Sequence, residues 1–323
     1  MNYKPILIVA GEPNSVFLEI FFKTIKLKKF KSPLVLIASL NLIKLQMKKL
    51  KFKKKINILN LKKIDNINIS NNDINLIDIN YKTKKAFEKI STKSNKYIQN
   101  SFEVALNLIN KNFSNKLING PVSKKSFLNN KFLGITEYLA KKTKVKNVAM
   151  LIYNKDLSVS PVTTHLPLKL VNKKINKKMI TDKIILINSF YKKRFKRKPK
   201  IAITGLNPHC ESIHPFNEDL SIIKPLVQEL RRSKSKYRVD GPYAADTIFL
   251  EKNRKKYDVI LGMYHDQVLA PIKTLFEYDA INITLGLPFI RISPDHGPNE
   301  KMLGKNLSNP LSLIKSITFL DTK

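Results

Sequence analysis

Short apolar runs alternate with helical periodicities along most of the chain. Residues 5–10 (PILIVA) and 33–39 (PLVLIAS) are continuous apolar runs of the length expected for a buried strand. KLING (116–120), NVAMLIY (147–153), IAITG (201–205) and YDVILGMY (257–264) repeat the form. Between them lie helical patterns. Residues 19–28 can be helical, and Phe102, Ala105, Leu106 and Ile109 fall on one helix face. In TDKIILINSFYKKRFKRKP (181–199), Thr181 is the expected N-cap, basic residues crowd the last turns and Pro199 is the stop. Alternation of this kind predicts an α/β protein with a largely parallel sheet. The segment 44–97 is poor in large apolar clusters, and short strands with a mobile loop are expected there. KKINKK (173–178) reads as an exposed connection.

Composition adds limits. The 323 residues can bury one large core or two smaller ones. No apolar run reaches the roughly 20 residues that span a bilayer. The N-terminal MNYKPILIVAGEPNS reads as a buried first strand rather than a secretory signal. The single cysteine, Cys210, excludes an internal disulfide framework and fits a reducing cytoplasm. The formal charge of +36 is what a nucleic-acid or anionic-membrane binder would carry. Here lysine, asparagine and isoleucine swell together, as in KFKKKINILNLKKIDNINIS, with few aromatics between the lysines to stack bases. A compositional bias explains that better, and no nucleic acid or membrane partner is expected. No P-loop and no GxGxxG occurs.

The candidate chemistry begins with histidines. His165, His209 and His265 each follow a candidate strand, in turns that hold proline or an acid. Ligands gather at the carboxyl ends of strands in open α/β sheets, so the three imidazoles can converge despite their separation in sequence. Three neutral imidazoles suit a divalent transition metal with positions left open for water or substrate. Asp266 and Asp246 are available as supporting partners or as a further ligand. Beyond His265 come Lys273, Asn282 and Arg291. Lysine supplies a point charge, arginine forks onto phosphate or carboxylate oxygens, and asparagine can hold a hydroxyl.

THLPLK, GLNPHCES, GPYAADTIF, YDVILGMYHDQVLAPIK and NITLGLPFIRISPDHG, in order from about residue 115 onward, resemble the 4-hydroxythreonine-4-phosphate dehydrogenases of pyridoxal phosphate synthesis. The resemblance implies the two-domain α/β/α fold of isocitrate and isopropylmalate dehydrogenases. One subdomain would comprise residues 1–120 with about 280–323, and the other about 121–279, carrying most metal ligands and the dimer interface. It implies a cytoplasmic homodimer with shared active sites, NAD or NADP as cofactor, and one divalent ion per site (Zn, Mg, Mn or Co). By motif match His165, His209 and His265 would ligate that ion, and Thr136, Lys273, Asn282 and Arg291 would bind substrate. DHGPNEKMLGK resembles a nucleotide-binding loop, which makes His296 and Gly297 cofactor candidates. The implied reaction oxidises 4-phosphohydroxythreonine at its 3-hydroxyl and then decarboxylates it. Asp246 and Lys273 are the candidate proton acceptors.

Two departures from the family pattern stand out. Ile135 occupies the place of a histidine in GHTE, and Ser15 and Phe17 replace glycines of the first turn. They keep open a related phosphorylated hydroxy acid, phosphothreonate or phosphoerythronate, as the substrate. A basic nucleic-acid-binding protein without turnover is the more distant alternative.

Overall fold

The computed structural model of the chain describes residues 3–323 apart from 65–68, 129–131, 133, 212–216, 233–235 and 295. Ser212 and Asp295 of the quoted motifs lie outside the described residues. The chain divides into two compact units, residues 1–138 with 288–323, and residues 139–287.

The first unit is built on β1 (Ile6–Val9), β2 (Leu34–Ala38), β3 (Ile56–Ile58), β4 (Ile74–Asp78) and β5 (Lys116–Asn119), together with Ile290–Ser293 from late in the chain. Their order is β3-β4-β2-β1-β5 followed by Ile290–Ser293, and every pairing within the unit is parallel. Every residue of β1, β2 and β5 is buried. Successive strand side chains point to opposite faces, so both faces of the sheet's centre are covered, as parallel sheets require. The helix Asn95–Asn110 packs on β1 and β2, and Leu311–Leu320 packs on β5 and on the helix Phe17–Leu27.

The second unit contains β6 (Ala149–Tyr153), β7 (Ser158–Pro161), β8 (Lys200–Thr204), β9 (Arg238–Tyr243), β10 (Val259–Gly262) and β11 (Ile281–Leu285), which leaves Ile290–Ser293 as β12. The order is β11-β6-β7-β10-β8-β9. The β7, β10, β8 and β9 strands run parallel, while β6 is antiparallel to both of its neighbours. Met150, Ile152, Val159, Ile260, Val268 and Ile272 anchor the core. The expected α/β class with mainly parallel pairing is what the chain forms. Among the described residues no helix is long and apolar enough to cross a membrane.

One local expectation differs from the structure, and two others gain detail. The helix expected from Thr181 starts at Lys177 and runs to Phe195. Asn176 caps it, its side-chain oxygen accepting from the Met179 amide at 2.9 Å, while the Thr181 hydroxyl donates back to the Lys177 carbonyl at 2.8 Å. Both residue types can cap, and the helical start belongs to the one that lies in extended backbone. The connection 173–178 is exposed as expected except at Ile175, and it closes one helix and opens the next. The segment 44–97 holds the expected short strands, β3 and β4, and asparagines pair across them: Asn57 donates to Asn75 at 3.1 Å, and Asn75 to the Leu34 and Ser70 carbonyls.

Replacing Asn176 by alanine should lower stability by about 1 kcal/mol, while Thr181→Ala should change it by less than about 0.5 kcal/mol. Urea denaturation of the two variants checks this; equal losses would return the cap to Thr181.

Candidate active site

In the second unit β7, β10 and β8 are adjacent and parallel, so the turns that follow them leave the same edge of the sheet side by side. These are the turns that carry His165, His265 and His209. The first two are brought together: their ring centroids lie 5.8 Å apart with the planes 35° from parallel. Two imidazoles sharing one tetrahedral ion, each bonded at about 2.0–2.1 Å, have centroids roughly 5 Å apart. The observed spacing is close to that value. His265 opens the helix His265–Phe276, and its Nδ1 lies 2.6 Å from an Asp266 carboxylate oxygen. If Nδ1 carries the proton, that contact fixes the tautomer and leaves Nε2 as the free donor atom.

His209 is exposed, in a short turn Pro208–Cys210. Among the described residues of one chain, no three histidine, cysteine or acidic side chains come together as a metal-binding group. The turn is nonetheless firmly built. His209 and Cys210 are both left-handed, at φ 56° and 61°, a conformation that costs on the order of 1–3 kcal/mol for each non-glycine residue. Asp219, fully buried, offsets that cost: it accepts from the Leu206 amide at 2.7 Å, the Asn207 amide at 3.0 Å and the Asn207 side chain at 2.9 Å. A Cβ on Gly205 would stand 2.6 Å from both the Asp219 carboxylate and the Cys210 sulfur, so only glycine admits this packing.

Asp246 is exposed, on the short helix Ala245–Ile248 that packs against the His209 turn. Burial pushes the Cys210 thiol up, and the charges of Asp219, Glu211 and Asp246 add to that rise. Lys273 is half-buried on the His265 helix, and desolvation holds its ammonium below the ordinary lysine value. Asn282 sits in β11 opposite Ile152 with its side-chain oxygen buried and without a hydrogen-bond partner.

The first unit holds the remaining candidates. Arg291, 1% exposed, lies in β12 beside β5. Its Nε donates to Asn119 at 2.7 Å and one terminal nitrogen donates to the Thr136 hydroxyl at 3.3 Å. Burial pulls its pKa down to about 10, opposed by the Glu137 charge, so it keeps its charge at neutral pH. His296 stacks on Phe17 at 6.0 Å, its Nδ1 is 3.2 Å from the Gly297 carbonyl, and its Nε2 is buried without a hydrogen-bond partner. Burial lowers its pKa, so the ring favours the neutral form. With the proton on Nδ1, Nε2 is an acceptor awaiting a donor. A Cβ on Gly297 would meet nothing within 4 Å, so that glycine borders open space. Ile135, at the departure from GHTE, begins the helix Ile135–Lys142, next to Thr136.

The first-turn replacements have structural reasons. The Ser15 hydroxyl donates to the Glu12 carbonyl at 2.7 Å. Phe17 is fully buried, and a Cβ on Gly120 would stand 2.7 Å from its ring. The side chain fills space a glycine would leave open and supplies the surface on which His296 stacks.

Sequence reasoning missed Asp219 and Asn119, because the roles of both are set by distant backbone. Asn119 closes β5 directly after the apolar pair Leu117 and Ile118, and that placement is the one signal that could have singled it out.

A family model described as the pyridoxal phosphate biosynthetic protein PdxA matches residues 29–320. The chain is 37% identical over 323 aligned residues to a 4-hydroxythreonine-4-phosphate dehydrogenase of Sulfurihydrogenibium sp. (strain YO3AOP1), covering 97% of this chain and 96% of that one. It is 34% identical to the enzyme of the same name from Wigglesworthia glossinidia brevipalpis, covering 97% and 94% of the two chains. Its fold is similar to the crystal structure of the 4-hydroxythreonine-4-phosphate dehydrogenase of Klebsiella pneumoniae, with a TM-score of 0.82, 26% identity and 98% of both chains covered. Sequence and fold agree over nearly the whole length, and the chain belongs to the PdxA family of pyridoxal phosphate biosynthetic proteins.

Proposed function

We propose that the protein oxidises 4-hydroxythreonine 4-phosphate at its 3-hydroxyl with NAD or NADP, and that the resulting β-keto acid loses carbon dioxide to give 3-amino-2-oxopropyl phosphate. The observation that carries this reading is the His165–His265 pair at one sheet edge, beside the strained His209 turn, in a chain of this family. His165, His265 and His209 are the residues that would hold a divalent ion. Such an ion, when bound, supplies positive charge that favours the ionised form of a ligated hydroxyl.

The chain's own groups have separate tasks. Asp266 holds the His265 ring in one tautomer. Arg291 and Thr136 bind anionic oxygens, the arginine pre-oriented by Asn119 so that little side-chain freedom is lost on binding. Asn282 offers its orphaned oxygen to a substrate hydroxyl or ammonium. His296 Nε2 offers a buried acceptor to a nucleotide hydroxyl or amino group, at a place where Gly297 leaves room. Lys273, its ammonium weakened by burial, takes up the hydroxyl proton in preference to the exposed Asp246.

A second copy of the chain completes the site in this reading. Leu168, Leu220 and Leu250 are 67%, 53% and 58% exposed and lie three residues after His165, next to Asp219 and just past the Asp246 helix. In this reading the three leucines belong to the surface that meets the second copy.

Three outcomes are expected. NADH absorbance should rise when 4-hydroxythreonine 4-phosphate and NAD are added, and a chelator should abolish the rise; chelator-insensitive oxidation would contradict the role given to the histidines. A lysine with lowered pKa becomes unprotonated at lower pH than usual, so kcat/KM should climb with pH through that value and level off early. Lys273→Met should remove this limb and slow turnover by about 10²–10⁴-fold; survival of the limb would transfer the role to Asp246. Ile135→His should shift the turnover ratio between 4-hydroxythreonine 4-phosphate and phosphoerythronate by about tenfold or more with metal content unchanged. Metal analysis accompanies that assay, and loss of metal would mean that the Ile135–Thr136 segment meets the metal ligands themselves.

A further inference from the structure

We propose that Gln267 is a positioning residue that sets the spacing of the three histidine-bearing turns. The inference rests on the metal reading of His165, His209 and His265. Gln267 sits on the first turn of the His265 helix, two residues past the imidazole, and is 8% exposed. Its side-chain oxygen accepts from the Met263 amide at 2.7 Å and from the Thr204 hydroxyl at 2.8 Å. Its amide nitrogen donates to the Gly205 carbonyl at 2.8 Å. One side chain thus joins the end of β10 to the end of β8, where the His209 turn begins.

The third turn joins through the same residue, Met263. The Met263 carbonyl accepts from the Thr163 hydroxyl at 2.8 Å and from the Thr163 amide at 3.2 Å, two residues before His165. Met263 therefore spends its N–H on the helix that carries His265 and its carbonyl on the turn that carries His165. The junction is also tight. A Cβ on Gly262 would stand 3.0 Å from the Gln267 oxygen and 2.3 Å from the Val268 side chain.

The chemistry of the amide is specific to this duty. Two donors and one acceptor face it, so the group must accept twice and donate once. A carboxylate accepts but cannot donate to Gly205, and a thioether of the same length does neither. A side chain that merely filled the core would govern stability alone. One that sets ligand spacing also governs how well the folded protein holds an ion, because misplaced imidazoles lose donor geometry.

Cobalt(II) titration of metal-free protein, followed by ligand-field absorption, tests this without recourse to turnover. Gln267→Met should weaken cobalt binding by about 10–100-fold in protein that circular dichroism shows to be folded. Thr204→Val removes only one of the bonds and should weaken it severalfold, while Thr204→Ser, which keeps the hydroxyl, should restore it. Unchanged cobalt affinity in folded Gln267→Met overturns the inference. Should that variant not fold, unchanged affinity in Thr204→Val overturns it instead. A wild-type protein that takes up no cobalt overturns the metal reading and this inference together; wild-type binding with indifferent variants overturns this inference alone.

Discussion

Strands buried on both faces leave most polar chemistry to the strand ends, with Asn282 in β11 and Arg291 in β12 held inside strands at a cost. In both units the central parallel strands are buried along nearly their whole length, so the turns beyond them supply most of the chemistry. Parallel pairing then decides which turns meet. The β7, β10 and β8 strands lie side by side in one direction, and this alone delivers histidines far apart in the chain to one edge. In the first unit β1, β5 and β12 do the same for the Glu12 turn, Asn119 and the His296 loop.

Holding polar groups at such an edge has a cost, and each unit meets it with a specific partner. A guanidinium that is fully buried loses several kcal/mol of hydration unless charge and hydrogen bonds replace it. Arg291 has Asn119, Thr136 and the nearby Glu137 charge. The strained His209–Cys210 pair has Asp219, whose two oxygens hold the preceding backbone from a fully buried position. These supports lie outside the reacting groups, yet the geometry of those groups depends on them.

Much of this was legible in the sequence, for reasons that differ by level. Apolar runs such as PILIVA and YDVILGMY announce buried strands because nothing polar interrupts them, and histidines placed just past such runs mark the edge where ligands gather. The family resemblance supplied Thr136 and the loop around His296, which composition and spacing do not single out. The cap at Asn176 was misassigned to Thr181 because both residue types can cap and only backbone conformation chooses. The short strands of the Asn- and Lys-rich early segment are legible, but the pairing between Asn57 and Asn75 is a property of strand register, which no local window reveals. Asp219 and Asn119 stayed hidden for a related reason: each is defined by backbone far away along the chain.

Phe17 carries one more consequence. Its ring lies under His296, and the neighbouring Val16 amide donates to the Pro298 carbonyl at 3.1 Å. The loop that resembles a nucleotide clasp is thereby tied, at His296 and Pro298, to the start of the helix Phe17–Leu27, so a change at Phe17 is felt where a nucleotide would dock.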